Sequence, residues 1–387
     1  MLSTSLVQSL YELPSPVLTA YVSTTPQDAA LQGGTPRYLH SLKERSESLA
    51  EHLKPEEKDR FLAELDRVNQ FLAVPTSHGS FAIFSGPAVW QALALQVPVT
   101  AEITWGKPSL AQLIWLASEH KQYGIIEVDH KGVRFFRAAL GEIEEDEEQR
   151  FTVDVSAWKQ KDMGHVNEAA RKSHGTQRDV FEKRMENQYA RMCGDAAHRA
   201  STLFAQKHVA AIFLVGPNKL IATLEAKFPR TFRIPIARID HDLAKASPQE
   251  LLKHLDPYFA AWERDHQAAL VNSVTEQERG TIPDFDETLA QLQRGKVRTL
   301  LLAADFEASV HQCGECGWID RSADAACTAC GGKRDATTLR RVLPELLRKH
   351  NVTLEIASGE AAERLKQAGG MASWVRQPKK NSARAGK

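Results

Sequence analysis

The stretch His311–Lys333 reads HQCGECGWIDRSADAACTACGGK, and the interpretation of the whole chain turns on it. Cys313 and Cys316 form one C-x-x-C pair and Cys327 and Cys330 a second, each followed at once by glycine, Gly317 and Gly331. Two residues between cysteines let one tight turn aim both sulfurs at a single ion, and glycine supplies the positive φ that such a turn demands. Two facing knuckles make a tetrahedral thiolate site, for which zinc is the expected metal. Four thiolates leave no open coordination position, so the ion is expected to be structural, not catalytic. A redox role is the rival reading, but no βαβ unit of the thioredoxin kind begins at either pair.

Outward from the ribbon, strands and helices alternate. Before it lie a charged helix (Arg264–Gly280), a second helix (Asp286–Arg294) ending at Gly295, and a buried-strand run, Val297–Ala303. After it come a helix (Leu339–His350), a strand (Val352–Ile356) and a helix (Glu360–Gln367). The ribbon therefore reads as an insertion in an α/β domain covering 261–387. Upstream, Gly124–Asp129 and Gly132–Leu140 read as a hairpin turning at His130-Lys131. An acidic run, Glu142–Glu148, reads as solvated, and the polar stretch Trp158–Gln177 as a long exposed loop. A helix is predicted from Arg178, with Phe181, Met185, Gln188, Tyr189 and Met192 along one face and the pattern continuing to Phe204. Strands at Val209–Val215 and Phe232–Ile236, with helices at Pro217–Glu225 and Pro248–Leu255, complete a second α/β domain, 120–260.

The remaining residues, 1–119, give a third α/β unit. Strands are predicted at Pro16–Ser23, Ser80–Ser85 and Trp90–Val99. Two helices lie between Tyr38 and Ala73, and a short one follows Pro108. Their polar residues form no recognisable site. The fold class is thus α/β throughout: three α/β domains, the third carrying an inserted four-cysteine zinc ribbon.

Composition narrows the function further. At 387 residues, with 42% hydrophobic and 25% charged, the chain has the make-up of a soluble globular protein of two or three domains. Lys plus Arg equals Asp plus Glu at 49 each, so no global field advertises a polyanionic partner. The charge is unevenly spread, since Lys379–Lys387 is basic and contains no acid; it reads as a solvated tail. No apolar run is long enough to span a bilayer, and the N-terminal residues lack the character of a secretory leader. Five cysteines, four in ligand spacing, fit a reducing cytoplasm, with Cys193 expected to be a buried thiol. No G-x-x-x-x-G-K-[ST] is present, so no P-loop is expected.

The third unit resembles a known family. GKVRTLLLAAD, the C-x-x-C insertion, NVTLEIASGE and AERLKQAGGMASWVR look like the C-terminal domain of archaeal–eukaryotic class I peptide-chain release factors. Gly369-Gly370-Met371-Ala372 is similar to that family's closing glycine-rich strand. The middle unit, with YGIIEVDHKGVRFFRAALGEIEE, a polar loop, a long basic helix and VAAIFLVG, resembles the family's central domain in layout. The N-terminal unit does not resemble the stop-codon reader, and the pattern is closer to the family's bacterial relatives.

The resemblance implies a role for the loop before the basic helix. In the family a Gly-Gly-Gln loop there helps water attack the peptidyl-tRNA ester; here the matching segment is Ser173-His174-Gly175-Thr176-Gln177. Aligned without a gap, His174-Gly175-Thr176 stands at the motif; with a one-residue gap, Gly175-Thr176-Gln177 does. Each version lacks one glycine, and His or Thr resist backbone angles that glycine allows. Hydrolysis would need a polar group set against the developing oxyanion and the attacking water, for which Gln177 or His174 would serve. Arg171, Lys172, Arg178, Lys183, Arg184 and Arg191 form a basic stretch suited to RNA phosphates, with a solvated helix face as the alternative.

The leading expectation is a cytoplasmic, ribosome-associated translation factor acting in termination-like rescue or quality control. Its expected partners are the ribosome and peptidyl-tRNA, with a translational GTPase or ATPase and no membrane. The alternatives are a non-catalytic ribosome- or RNA-binding stress factor and a zinc-ribbon protein–protein adaptor.

Overall fold

A computed structural model describes residues 9–25, 28, 30–32, 35–74, 79–146, 151–152, 174–243 and 245–376, with side chains from residue 186 onward in the helix that begins at His174. Three sheets carry the chain, one in each third, and a small three-stranded sheet forms the ribbon.

In the first sheet, Val17–Ser23 is central and antiparallel to Ser80–Gly86 and Glu102–Gly106, and Val89–Leu95 closes the other edge. The Glu102–Gly106 strand is an addition to the elements read from sequence. Helices Arg37–Glu51 and Pro55–Leu72 cover one face, where Leu42, Phe61 and Val68 meet Leu18, Ala20 and Ile83. Helix Ala111–Glu119 covers the other through Leu113 and Leu116. Its Ile114 also packs against the third domain's core, and its Trp115 is part of that core.

The middle sheet holds the hairpin Tyr123–Val128/Gly132–Ala139, with Tyr123–Val128, Ala211–Gly216 and Ile236–Asp240 running parallel. The parallel partner is Ile236–Asp240 in place of the predicted Phe232–Ile236, because its residues align with Ile212–Gly216. Alternation then sorts the side chains by face. Ile126, Val128, Ile212 and Leu214 meet helices His174–Gln206 and Asn218–Glu225; Ile125, Phe213 and Val215 meet helix Pro248–Thr275. The Gly216 turn can hold only glycine: its φ is 146° and a Cβ there would lie 2.1 Å from the Val128 carbonyl oxygen.

The acidic run is described as far as Asp146, and residues 147–148 lie outside the described residues. Glu142–Glu145 is a strand paired with Phe136–Ala139. The carboxylates of Glu144 and Glu145 lie 2.9 and 3.1 Å from Arg137 and Arg134, so cross-strand cations compensate the charge.

Two helices predicted on either side of residue 260 are one, Pro248–Thr275, with Pro257 in its interior. Ser247 caps it with a full capping box through Glu250. Leu251, Leu255 and Phe259 sit in the middle core, whereas Val271 and Val274 sit in the third, so this rod joins two domains. Lys121 and Glu355, 2.7 Å apart and mostly buried, add an ion pair across the same junction.

In the third sheet, Val297–Ala303 and Thr353–Ala357 are parallel, and Met371–Val375 is antiparallel to Val297–Ala303 on its other side. Helices Phe285–Gln293 and Leu339–His350 cover one face. Helices Gly359–Gln367 and Pro248–Thr275 cover the other. No helix among the described residues is long and apolar enough to cross a membrane.

Candidate functional site

The ribbon is built on strand Ser309–Cys313, which pairs with Ile319–Asp320 on one side and Arg334–Thr338 on the other. In the first knuckle the Gly317 amide donates to the Cys313 carbonyl (3.0 Å) and the Cys316 amide to the Cys313 sulfur (3.5 Å). The second repeats it, with the Gly331 amide on the Cys327 carbonyl (2.8 Å) and the Ala329 amide on the Cys327 sulfur (3.4 Å). Gly317 and Gly331 have φ of 74° and 78°, the left-handed geometry that the spacing implied.

The knuckles face each other. Cys313 and Cys330 sulfurs are 3.5 Å apart, Cys316 and Cys327 sulfurs 3.6 Å, and all four lie within 4.8 Å of one another. A tetrahedron with metal–sulfur bonds of about 2.3 Å has edges of roughly 3.8 Å, so the cluster fits one ion. No disulfide links these cysteines. The Cys316 amide pulls the Cys313 thiol down to about 6. Cys330 also has a backbone bond at Gly332, yet the neighbouring Cys316 and Cys313 sulfurs push it up to about 12. Four sulfurs this close become thiolates together only around a cation.

The ribbon is fastened to its domain. Helix Phe285–Gln293 ends on Gln293, whose side-chain amide donates to the Ile319 carbonyl and accepts from the Ile319 amide, both at 2.7 Å. Val310 and Ile319 are buried in the third-domain core. Beneath the second knuckle the buried Arg334 pairs with Asp320, which also accepts from the Thr328 hydroxyl at 2.8 Å. Sequence reading missed Gln293, Asp320 and Arg334, because their roles depend on partners distant in the chain.

The basic segment is described in part. Arg171 and Lys172 lie outside the described residues, as does the 158–173 part of the predicted loop. The helix spans His174–Gln206, so His174, Gly175, Thr176 and Gln177 form its first turn and are not loop. Arg178, Lys183 and Arg184 follow on the same helix, with side chains outside the description, and Arg191 is exposed. From Tyr189 onward the helix packs on the sheet through Met192, Cys193, Ala196, Ala200 and Phe204. Phe204 fits against Gly124, where a Cβ would lie 3.0 Å from the ring. The Tyr189 hydroxyl donates to the His130 carbonyl (3.2 Å), and Lys219 pairs with Glu186 at 2.8 Å. Cys193 is fully buried and burial pushes its thiol up to about 11, as befits an inert core residue.

Three α/β units, a thiolate ribbon inserted in the last, and a long helix returning to a parallel strand in the middle one make up the described architecture. Residues 108–259, which contain the whole middle sheet, match the sequence model of bacterial archaeo-eukaryotic release factor family 10. The likeness to that family is confined to this region of the chain. Among solved structures it is similar to an archaeal translation termination factor, aRF1 (12% identity, 96% of each chain covered, TM-score 0.23). It is also similar to archaeal Pelota in a ribosome-bound assembly with ABCE1 (12% identity, 96% of this chain and 94% of that one, TM-score 0.41). A third likeness is to S. cerevisiae Dom34 (10% identity, 78% and 82% covered, TM-score 0.33). No curated protein sequence matches the chain.

Proposed function

We propose that this protein is a ribosome-associated translation factor of the release-factor type, acting in termination-like rescue or quality control in the cytoplasm. The family match of residues 108–259 carries the reading. A 33-residue helix is about 50 Å long. Among its described side chains, Tyr189, Met192, Cys193 and Ala196 pack on the sheet, and Arg178, Lys183 and Arg184 lie on the turns N-terminal to them. In this reading those cations, with Arg171, Lys172 and Arg191, contact ribosomal RNA and peptidyl-tRNA. The four cysteines hold zinc as a structural ion that shapes the third domain for docking on the ribosome or on a translational GTPase or ATPase.

Sucrose-gradient sedimentation tests the reading. The protein should travel with ribosomal particles, and raising salt should strip it off steeply. Reversing Arg178, Lys183 and Arg184 to Glu should cut the bound fraction at least tenfold; unchanged sedimentation would remove these residues from the interface.

In the hydrolytic form of this reading, Gln177 or His174 orients water at the peptidyl ester. The non-catalytic form rests on one observation: His174–Gln177 is helical and holds a single glycine. Peptide release from stalled ribosomal complexes decides between them. Release that drops about a hundredfold in Gln177→Ala or His174→Ala establishes the hydrolase. Absence of release in the wild type leaves the protein as an occupant of the ribosome.

A further inference from the structure

The long helix of the middle domain has a second end, about 50 Å along its axis from His174. It stops at Gln206, and the chain leaves it through a paired closure in which the amides of His208 and Val209 donate to the carbonyls of Ala205 and Phe204, both at 3.3 Å. The closure puts His208 in the left-handed region, φ 53°, where glycine is the low-strain choice, and leaves it exposed.

Facing this corner is the segment between helix Asn218–Glu225 and strand Ile236–Asp240. Phe232 and Ile234 pack in the same apolar cluster as Val209, and the Pro235 carbonyl accepts from the Ile212 amide at 2.8 Å. One groove of about 510 Å³ lies between the two segments, within the size range of small-ligand sites. Buried Val209 and half-buried Phe232 and Ile234 line its apolar part, and exposed His208, Thr231 and Arg233 its polar part. The Phe232 ring is braced by Phe228, with ring centres 4.8 Å apart and planes inclined at 44°.

The charge of the groove is one-sided. None of its lining residues is acidic. The adjoining stretches, Phe204–Ala210 and Ala226–Ile239, carry Lys207, Lys227, Arg230, Arg233 and Arg238 and no acid. Arg233 donates through Nη1 alone to the carbonyls of Arg230 (2.8 Å) and Phe232 (3.2 Å), so its Nε and Nη2 remain available. The blander role for cations here is to offset the carbonyls at a helix C-terminus. Those of Leu203, Phe204 and Ala205 are already taken by the amides of Lys207, Val209 and His208.

We infer that this groove holds one unpaired nucleotide of an RNA strand, its base against Phe232 and His208 and its phosphate on Arg233. An aromatic face accepts any base, and an acid-free rim with a free guanidinium edge favours the phosphate. Bases inside a duplex are stacked on one another and cannot enter, so the groove selects single strands. An acidic peptide would satisfy the rim but leave the aromatic part without a partner. The inference stands on the groove and not on the family match.

The probe is fluorescein-labelled decauridine, titrated by anisotropy against the full chain carrying R178E/K183E/R184E, so that the basic turns of the long helix contribute nothing. Adding His208→Gly and Arg233→Gln should weaken binding by about tenfold or more. The glycine suits the left-handed position, so thermal unfolding should not suffer from that change. Phe232→Leu keeps an apolar side chain, removes the ring, and should also weaken binding on the order of tenfold. A decamer carrying 4-thiouridine should crosslink under ultraviolet light to peptides containing 205–208 or 231–234. Unchanged affinity in these variants, or crosslinks confined to other segments, would overturn the site. Equal affinity for decauridine annealed to decaadenosine, for uridine monophosphate alone, or for a poly-glutamate peptide would overturn the assignment to an unpaired RNA strand. If the crosslinks and affinity losses appear while the wild type fails to sediment with ribosomes, the groove survives and the proposed function does not.

Discussion

Cys313→Ser should abolish metal binding: zinc content, measured by elemental analysis of the purified chain, falls from about one ion per chain to background. The sulfurs of Cys313, Cys316, Cys327 and Cys330 all lie within 4.8 Å of one another, so removing one leaves three donors and breaks the closed tetrahedron. Structural zinc binds with an apparent free energy of about 10–16 kcal/mol, much of it spent on folding the loops that carry the ligands. Damage should spread into the third domain, because Val310 and Ile319 belong to the core formed with Leu289, Leu300 and Leu343. The clusters around Ile83 and around Ile212 contain no ribbon residue, so the first and middle domains should stay folded. A chelator applied to the wild type should reproduce the lesion, and Cys193→Ser, buried in the middle-domain core, should leave zinc content untouched. Normal zinc in Cys313→Ser would sink the four-thiolate site.

The knuckles were legible because their chemistry is local: cysteine spacing and a following glycine state a geometry within five residues. The hairpin at His130-Lys131 was legible for the same reason, since both strands are apolar runs joined by two polar residues. Where partners are distant, sequence reasoning failed. EIEE looks like a solvated acidic run until Arg134 and Arg137 arrive across the strand. The joining helix reads as two because Pro257 breaks the pattern and its apolar face changes partner from the middle core to the third. His174–Gln177 read as loop because Gly175 and Thr176 have poor helix propensity, yet the helix starts there. One signal was visible and passed over. Glu127 interrupts the apolar strand GIIEVD, and a charge in a buried run calls for an explanation.

Glu127 makes the stability of the middle domain fall as pH rises through neutrality, and Glu127→Gln should abolish most of that slope. The residue is 2% exposed, on the strand face that packs against helix Pro248–Thr275. Arg134 is its cation, but the guanidinium is committed elsewhere. It holds Glu145 in a two-pronged contact (3.1 and 3.2 Å), donates to the Ala246 carbonyl (3.3 Å) and stacks 4.7 Å from the Phe136 ring centre. Glu127 is left with a 3.8 Å approach to Arg134, and its Oε1 has no hydrogen-bond partner. Burial therefore pushes its carboxyl from the ordinary 4.5 up to about 7; Arg134 opposes the shift, while Asp129, Asp242 and Glu145 reinforce it. Between these values the folded chain keeps a proton that the unfolded chain releases. The stability this proton supplies is complete below about 4.5 and gone above about 7, a change on the order of 3 kcal/mol. Glu263 is shifted in the same direction by its own burial, so the wild-type slope alone is not diagnostic; the difference between wild type and Glu127→Gln is. Denaturant unfolding at pH 5 and pH 8 measures it. The variant should gain on the wild type by about 3 kcal/mol between the two pH values, since glutamine never has to carry a buried charge. Equal pH dependence in the two proteins would mean that Arg134 keeps Glu127 ionised throughout, and that the pair is an ordinary buried salt bridge.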